Sequence, residues 1–321
     1  MRAVASPLLP LFVLLSACGG GPSAQQEPAK APVVEVGAGH EAPPVSAQGP
    51  EEDGDAESRA TNDVEALDTC IEHMREGRGL PERVKASPEA SQYAQTLAAE
   101  RAGNLDQAKE GYLKIVQQYP DSPYIPLVYF AFGELFFKDG QKDPIKLDFA
   151  EQSYDEVLKF PMPNNTAWIA ANLRLAEVYR QNGDPPKALS SLKKVAEAAA
   201  KEPGASCAAS LVPPARARLV AVYADVGRPS AAFDFFKTAS GSNKGDERTT
   251  ALAMVASLAE LYVQQQKHDD AATALISAHA RFYDTAYCQR EGQLVTKLGP
   301  SLTATRRDQL ASAHSVHCIA Q

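Results

Sequence analysis

The 321-residue sequence lacks the short motifs by which many catalytic sites are recognised. It contains no nucleophile elbow, no phosphate-binding loop, no zinc-protease helix and no glycine-rich dinucleotide turn. An excess of positive charge is also lacking: 40 acidic residues outnumber 32 basic ones, the net charge is -8, and the basic residues are scattered instead of forming a stripe. These absences predict a protein that is not an enzyme, requires no cofactor and does not bind nucleic acid.

Long apolar runs are also missing, since none reaches the ~20 residues that a membrane-spanning helix requires. The N-terminus instead carries a short leader, in which Arg2 precedes an apolar stretch that ends at Leu15 and small residues precede Cys18. This leader resembles a bacterial lipoprotein signal, which implies cleavage before Cys18 and acylation of that cysteine. Gly19 replaces the aspartate that commonly retains such proteins in the inner membrane. The resemblance therefore implies a lipid anchor in the outer membrane, and we expect the folded part to face the periplasm.

The sequence divides into a leader at 1–17, a tether at 18–60 and a folded part that begins at residue 61. The tether is rich in Pro, Gly and Ala, ends in an acidic cluster and shows no apolar period. Such a segment cannot bury enough surface to offset the entropy lost on ordering, so it is predicted to be disordered. Its acidity argues against binding to anionic lipid or nucleic acid, and a plain solubilising tail is the alternative interpretation.

The folded part is predicted to start with a capping helix in residues 61–90. Apolar residues recur there at spacings of three and four, which places them on one helical face: Val64, Leu67, Ile71 and Met74. Helical repeats are predicted to follow in residues 91–287, and further capping helices in residues 288–321.

The repeats are clearest around Ala176, Tyr179, Gly183 and Ala188. This arrangement resembles the tetratricopeptide repeat, in which a small residue on the first helix meets an alanine on the second, an aromatic fills the gap and a glycine makes the turn. The pattern returns at several places along the chain, with key alanines at Ala108, Ala150, Ala188, Ala232 and Ala271. Its spacing is near forty residues, longer than the ~34 typical of the family. The resemblance implies an all-α solenoid of about five irregular helix pairs.

Tetratricopeptide solenoids bind peptides or helices on the concave surface of their first helices. Here that wall is predicted to consist of Phe130, Glu134, Phe137, Lys138, Glu177, Arg180, Gln181, Glu260 and Gln264. The segment from Tyr119 to Tyr124 is similar to the inter-repeat segment of envelope tetratricopeptide lipoproteins of the barrel-assembly and Tol-Pal coordinator type. We therefore expect a membrane-anchored scaffold for envelope proteins whose identity the sequence leaves open.

Five cysteines are present, and lipidation of Cys18 would leave four. Four cysteines allow three disulfide pairings, of which we favour Cys288 with Cys318, because that bond would tie down the last helices. His314 and His317 lie close to Cys318 in the sequence, so this C-terminal segment could instead ligate a metal. No metal site is predicted from three such donors alone. The alternative function is a ligand-binding, metal-binding or enzymatic accessory that uses this segment.

Overall fold

The computed structural model describes residues 68–201, 208–242, 245–278 and 285–318. The chain divides into two compact units, Met1–Glu57 and Ser58–Gln321, and every described residue belongs to the second. The predicted leader, the lipidated Cys18, the tether at 18–60 and the start of the capping helix lie outside the described residues.

The described residues form helices joined by short turns, and these ranges contain no β-strand. Helix α1 covers the described residues 68–75, and the short α2 spans Glu82–Lys85. Six helix pairs follow: α3 and α4 (Pro88–Arg101, Leu105–Gln118), α5 and α6 (Ile125–Gly140, Ile145–Leu158), α7 and α8 (Trp168–Gln181, Pro185–Lys201), α9 and α10 (Ala208–Val226, Ala232–Ala239), α11 and α12 (Glu247–Gln264, His268–Ser277), and α13 and α14 (Thr285–Leu298, Ala304–His317). The prediction of an all-α solenoid is confirmed.

The turns within three of the pairs share one backbone geometry. Gly103 and Gly183 adopt left-handed φ angles of 82° and 72°, and Gln266 takes φ 60° at the same place in the fifth pair. In each turn the next N–H group bonds to a carbonyl five residues back, at 2.8 to 2.9 Å. This bond closes the helix C-terminus as in a Schellman motif. Gln266 therefore forms the same turn without a glycine.

The core of each pair lies where its two helices approach closely. Ala108, Ala150 and Ala188 are fully buried on the second helices of the first three pairs. Aromatic rings fill the space beside them, and the ring of Tyr154 lies so close to Gly133 that a Cβ atom there would meet it at 2.3 Å. Small residues thus allow the helices to approach, and the tyrosines complete the packing.

Each second helix contacts the first helix of the next pair, and in the last three pairs the first helices also pack on each other, since α9 contacts α11 and α11 contacts α13. The C-terminal segment, which was predicted to supply capping helices, forms a sixth pair that continues this stack. Within the described ranges, no helix combines the length and apolar character that crossing a membrane requires.

Candidate partner-binding wall

The predicted wall residues differ widely in exposure. Phe130 is 0% exposed, and its ring centroid lies 5.5 Å from that of Tyr154. Its prediction as a surface residue is wrong, because it belongs to the core of the second pair. The other predicted residues are half-buried or exposed: Glu134, Phe137, Glu177 and Glu260 are half-buried, and Lys138, Arg180, Gln181 and Gln264 are exposed.

Glu134 joins the second pair to the third. Its carboxylate accepts hydrogen bonds from the Tyr154 hydroxyl at 2.5 Å and from Arg174 Nε and Nη2 at 2.8 and 3.0 Å. Burial disfavours the charge on Arg174, but the Glu134 carboxylate overcomes this effect and raises the pKa of the guanidinium. Because its oxygens are used within the fold, Glu134 positions the wall and is not an open contact for a partner.

Glu260 occupies a similar position between the fifth and sixth pairs. Arg290 donates to both of its carboxylate oxygens at 2.5 Å, and its Nη2 also donates to Ser257 Oγ at 3.1 Å. In both ties an acid on one first helix meets an arginine on the next first helix. Both ion pairs fix neighbouring first helices relative to each other. The pair of Glu260 with Arg290 is partly exposed and therefore stabilises only modestly.

Glu177, Arg180 and Gln181 come together at the end of α7. Arg180 donates to both Glu177 oxygens at 2.6 and 3.1 Å, and Gln181 Nε2 donates to Glu177 at 3.0 Å. Burial opposes ionisation of Glu177, but these hydrogen bonds lower the pKa of its carboxyl group. Gln181 also accepts a hydrogen bond from Gln141 at 3.2 Å, which links this cluster to the second pair. The polar groups of this cluster thus hydrogen-bond largely to one another, and the cluster forms a polar part of the wall.

A groove of about 500 Å³ lies between the first helices α9 and α11 and is open to solvent. It is lined from α9 by Pro213, Arg216, Ala217 and Val220, and from α11 by Thr249, Thr250, Ala253, Met254 and Ser257. The sequence-based wall passed over the fourth pair entirely. The small side chains of Pro213, Ala217 and Ala253 leave room between the two helices, but the sequence alone does not indicate that they face each other.

Arg216 is the charged residue of this groove. Its Nε donates to the Ser240 carbonyl at 2.8 Å, which fixes the guanidinium at the groove wall. Burial lowers the pKa of Arg216, whereas a carboxylate partner raises the pKa of Arg174. No carboxylate forms a salt bridge with Arg216 among the described residues. The groove therefore offers a partly desolvated cation beside an apolar surface.

A second cluster lies at the C-terminal pair. Cys288 and Cys318 form a disulfide with an S–S distance of 2.03 Å. Glu291 is 0% exposed, receives a hydrogen bond from the Tyr287 hydroxyl at 3.1 Å and lies 2.9 Å from His314 Nδ1. Burial, followed by the neighbouring carboxylate, raises the pKa of Tyr287.

The sequence offered His314, His317 and Cys318 as possible metal donors without predicting a site, and the side chain of His317 lies outside the described residues. Glu291 was missed because it is 23 residues from His314 in the sequence and is brought to it by helix packing. Cys70 is also disulfide-bonded.

Comparison with known protein families matches the family model described as "Tetratricopeptide repeat" to residues 90–122 and 170–201. These ranges coincide with the first pair, α3 and α4, and the third pair, α7 and α8. No curated protein matches the chain. Tetratricopeptide repeats generally mediate protein–protein interactions through extended concave surfaces. The chain is thus similar to tetratricopeptide-repeat proteins in both sequence and helix pairing.

Proposed function

We propose that this chain is an interaction scaffold, without catalytic activity, that binds a peptide segment of a partner protein in the groove between α9 and α11. The observation that carries the proposal is the groove itself, which combines an apolar floor with one guanidinium that has no carboxylate partner among the described residues. The similarity of two helix pairs to tetratricopeptide repeats supports the same function class.

The chemistry of the lining defines the partner. An acidic side chain of the bound peptide would pair with Arg216, and a neighbouring apolar side chain would pack on Val220 and Met254. Such a contact relieves the partial desolvation of Arg216, since a charge-assisted hydrogen bond to a carboxylate is stronger than one to a neutral carbonyl. Ala217 and Ala253 are small and exposed, so they leave space for the peptide backbone.

Photocrosslinking in the source cell tests this proposal. A photoreactive residue at Ala217 or Ala253 should give a discrete protein adduct, and the same residue at exposed Lys194 on α8 should not. Mass spectrometry of the adduct should place the crosslink within a few residues of an Asp or Glu in the partner. Arg216→Glu should abolish the adduct, and Arg228→Glu, at an exposed arginine outside the groove, should preserve it.

Two outcomes would contradict the groove as the binding site. One is an adduct from Lys194 as strong as those from the groove positions. The other is an adduct that survives Arg216→Glu unchanged, because the cation would then have no role in recognition. A crosslinked partner segment without acidic residues would likewise refute the stated peptide chemistry.

We further propose that the scaffold is anchored by lipid on Cys18 to a bacterial outer membrane, where it faces the periplasm and serves proteins of the cell envelope. The lipoprotein-like leader supports this part of the proposal, and the leader lies outside the described residues. Labelling of the source cells with an alkyne-bearing fatty acid should mark the protein, and Cys18→Ala should remove the label. A labelled Cys18→Ala variant would contradict the anchor without affecting the proposed groove.

A further inference from the structure

The C-terminal cluster brings together four side chains of the kinds that bind Zn²⁺. Cys288 and Glu291 lie one helical turn apart on α13, and His314 and Cys318 lie at the end of α14. Donor atoms of Glu291, His314 and Cys318 all lie within 4.8 Å of one another. Cys288 Sγ, the fourth donor atom, is bonded to Cys318 Sγ and so lies beside the other three.

Glu291 gives the cluster its unusual character, because its carboxylate is fully buried. A buried carboxylate is costly unless hydrogen bonds or a positive charge hold it. The Tyr287 hydroxyl and the His314 ring provide such contacts from two helices. The Tyr287 bond also orients the carboxylate towards His314 and the sulfur atoms, as outer-shell hydrogen bonds do around metal ligands.

We propose that reduction of the Cys288–Cys318 disulfide converts this cluster into a Zn²⁺ site with Cys288, Cys318, His314 and Glu291 as its four ligands. Two thiolates, one imidazole and one carboxylate are suitable donors for tetrahedral zinc. Bonds of about 2.3 Å to sulfur require the two sulfur atoms to separate after reduction. Cys288 lies in the first turn of α13, Cys318 directly follows α14, and both are half-buried, so these side chains have room to move apart.

The chemistry balances with a dithiol reductant. Two electrons and two protons pass from the dithiol to the disulfide, which yields the Cys288 and Cys318 thiols and a disulfide in the reductant. Zn²⁺ binding then releases both thiol protons to solvent, because zinc binds the thiolate form. The last helix pair is therefore held by a covalent bond in the oxidised state and by a metal in the reduced state.

Cobalt(II) titration of the full chain tests the site, because thiolate-bound Co²⁺ absorbs through ligand-to-metal charge transfer. A phosphine reductant is used, since dithiols bind metals themselves. The reduced chain should bind one equivalent of Co²⁺ with this absorption, and Zn²⁺ should displace it. The oxidised chain should show no such band. A reduced chain without the band would overturn the proposal.

Variants separate this site from the other cysteines that reduction exposes. Cys318→Ser and Glu291→Gln should each weaken Co²⁺ binding at least tenfold. Loss of a group that only hydrogen-bonds to a ligand already costs ~10 to 100-fold in metal affinity, and loss of a ligand should cost no less. Cys70→Ser should bind like the natural chain. Circular dichroism shows whether each variant is folded. If Glu291→Gln unfolds the protein, His314→Gln, at a half-buried position, provides another ligand variant. Unchanged affinity in Cys318→Ser or in His314→Gln would overturn the ligand set.

Discussion

At the scale of single residues, two glycines on first helices make a matched test of the packing. A Cβ atom at Gly133 would meet the buried Tyr154 ring at 2.3 Å, whereas one at Gly292 would meet His314 Nε2 at 3.4 Å, an ordinary contact. Gly133→Ala should therefore destabilise the protein by about 1 to 3 kcal/mol through overpacking. Gly292→Ala should be neutral or stabilise by about 0.5 to 1 kcal/mol, because alanine favours a helix. Denaturant unfolding measures both changes, and equal effects would refute the close approach.

The same scale shows where sequence reasoning stops. The pattern of alanines and tyrosines predicted the residues that fill the core, because helix spacing alone specifies that face. Phe130 and Glu134 could not be assigned in this way, since α5 is apolar around most of its circumference and its pattern does not separate core from wall. Contacts such as Glu134 with Arg174 join residues 40 positions apart, and no local pattern specifies them.

At the scale of helices, the recurring buried tyrosines predict a loss of stability at high pH. Burial raises the pKa of Tyr262 to about 12 and raises those of Tyr154 and Tyr223. A raised pKa means that the folded state keeps a proton that the unfolded chain releases near pH 10. The tyrosine contribution is therefore complete below pH 10 and is lost as pH rises through 12.

Unfolding by urea at pH 8 and pH 11 measures this effect. The free energy of unfolding should fall between these values, and Tyr262→Phe should reduce the fall by up to about 1 kcal/mol because phenylalanine does not ionise. Tyr119→Phe, at a half-buried position outside these cores, serves as the control. Its free energy of unfolding should fall between the two pH values by as much as that of the natural chain. A Tyr262→Phe variant with an undiminished fall would contradict the assignment to this hydroxyl.

The groove between α9 and α11 shows what sequence reasoning cannot supply at the scale of helices. The fourth pair was recognised from its key alanine, Ala232, but its second helix spans only Ala232–Ala239 and its repeat is irregular. The width of a groove depends on how far apart two first helices settle, and that distance follows from packing over many residues. The groove therefore became visible only in three dimensions.

At the scale of the whole molecule, each helix pair contacts mainly its neighbours. The free energy of unfolding should therefore be a sum of local contributions, and one end of the stack can unfold before the other. The disulfide between Cys288 and Cys318 closes a loop within the sixth pair, 30 residues apart in sequence. A loop of that size contributes about 3 to 4 kcal/mol in the chain-entropy model. Replacing both cysteines by serine should consequently loosen the C-terminal pair first.

The single tryptophan, Trp168, reports on the third pair and makes this distribution measurable. In the Cys288→Ser, Cys318→Ser double variant, thermal unfolding followed by circular dichroism should begin earlier, because all helices contribute to that signal. Unfolding followed by Trp168 fluorescence should change far less, since the fourth and fifth helix pairs separate this residue from the lost bond. Two separated transitions would indicate that the solenoid unfolds from its C-terminal end. Coincident transitions, shifted equally, would instead require strong coupling along the stack, and the nearest-neighbour description would be wrong.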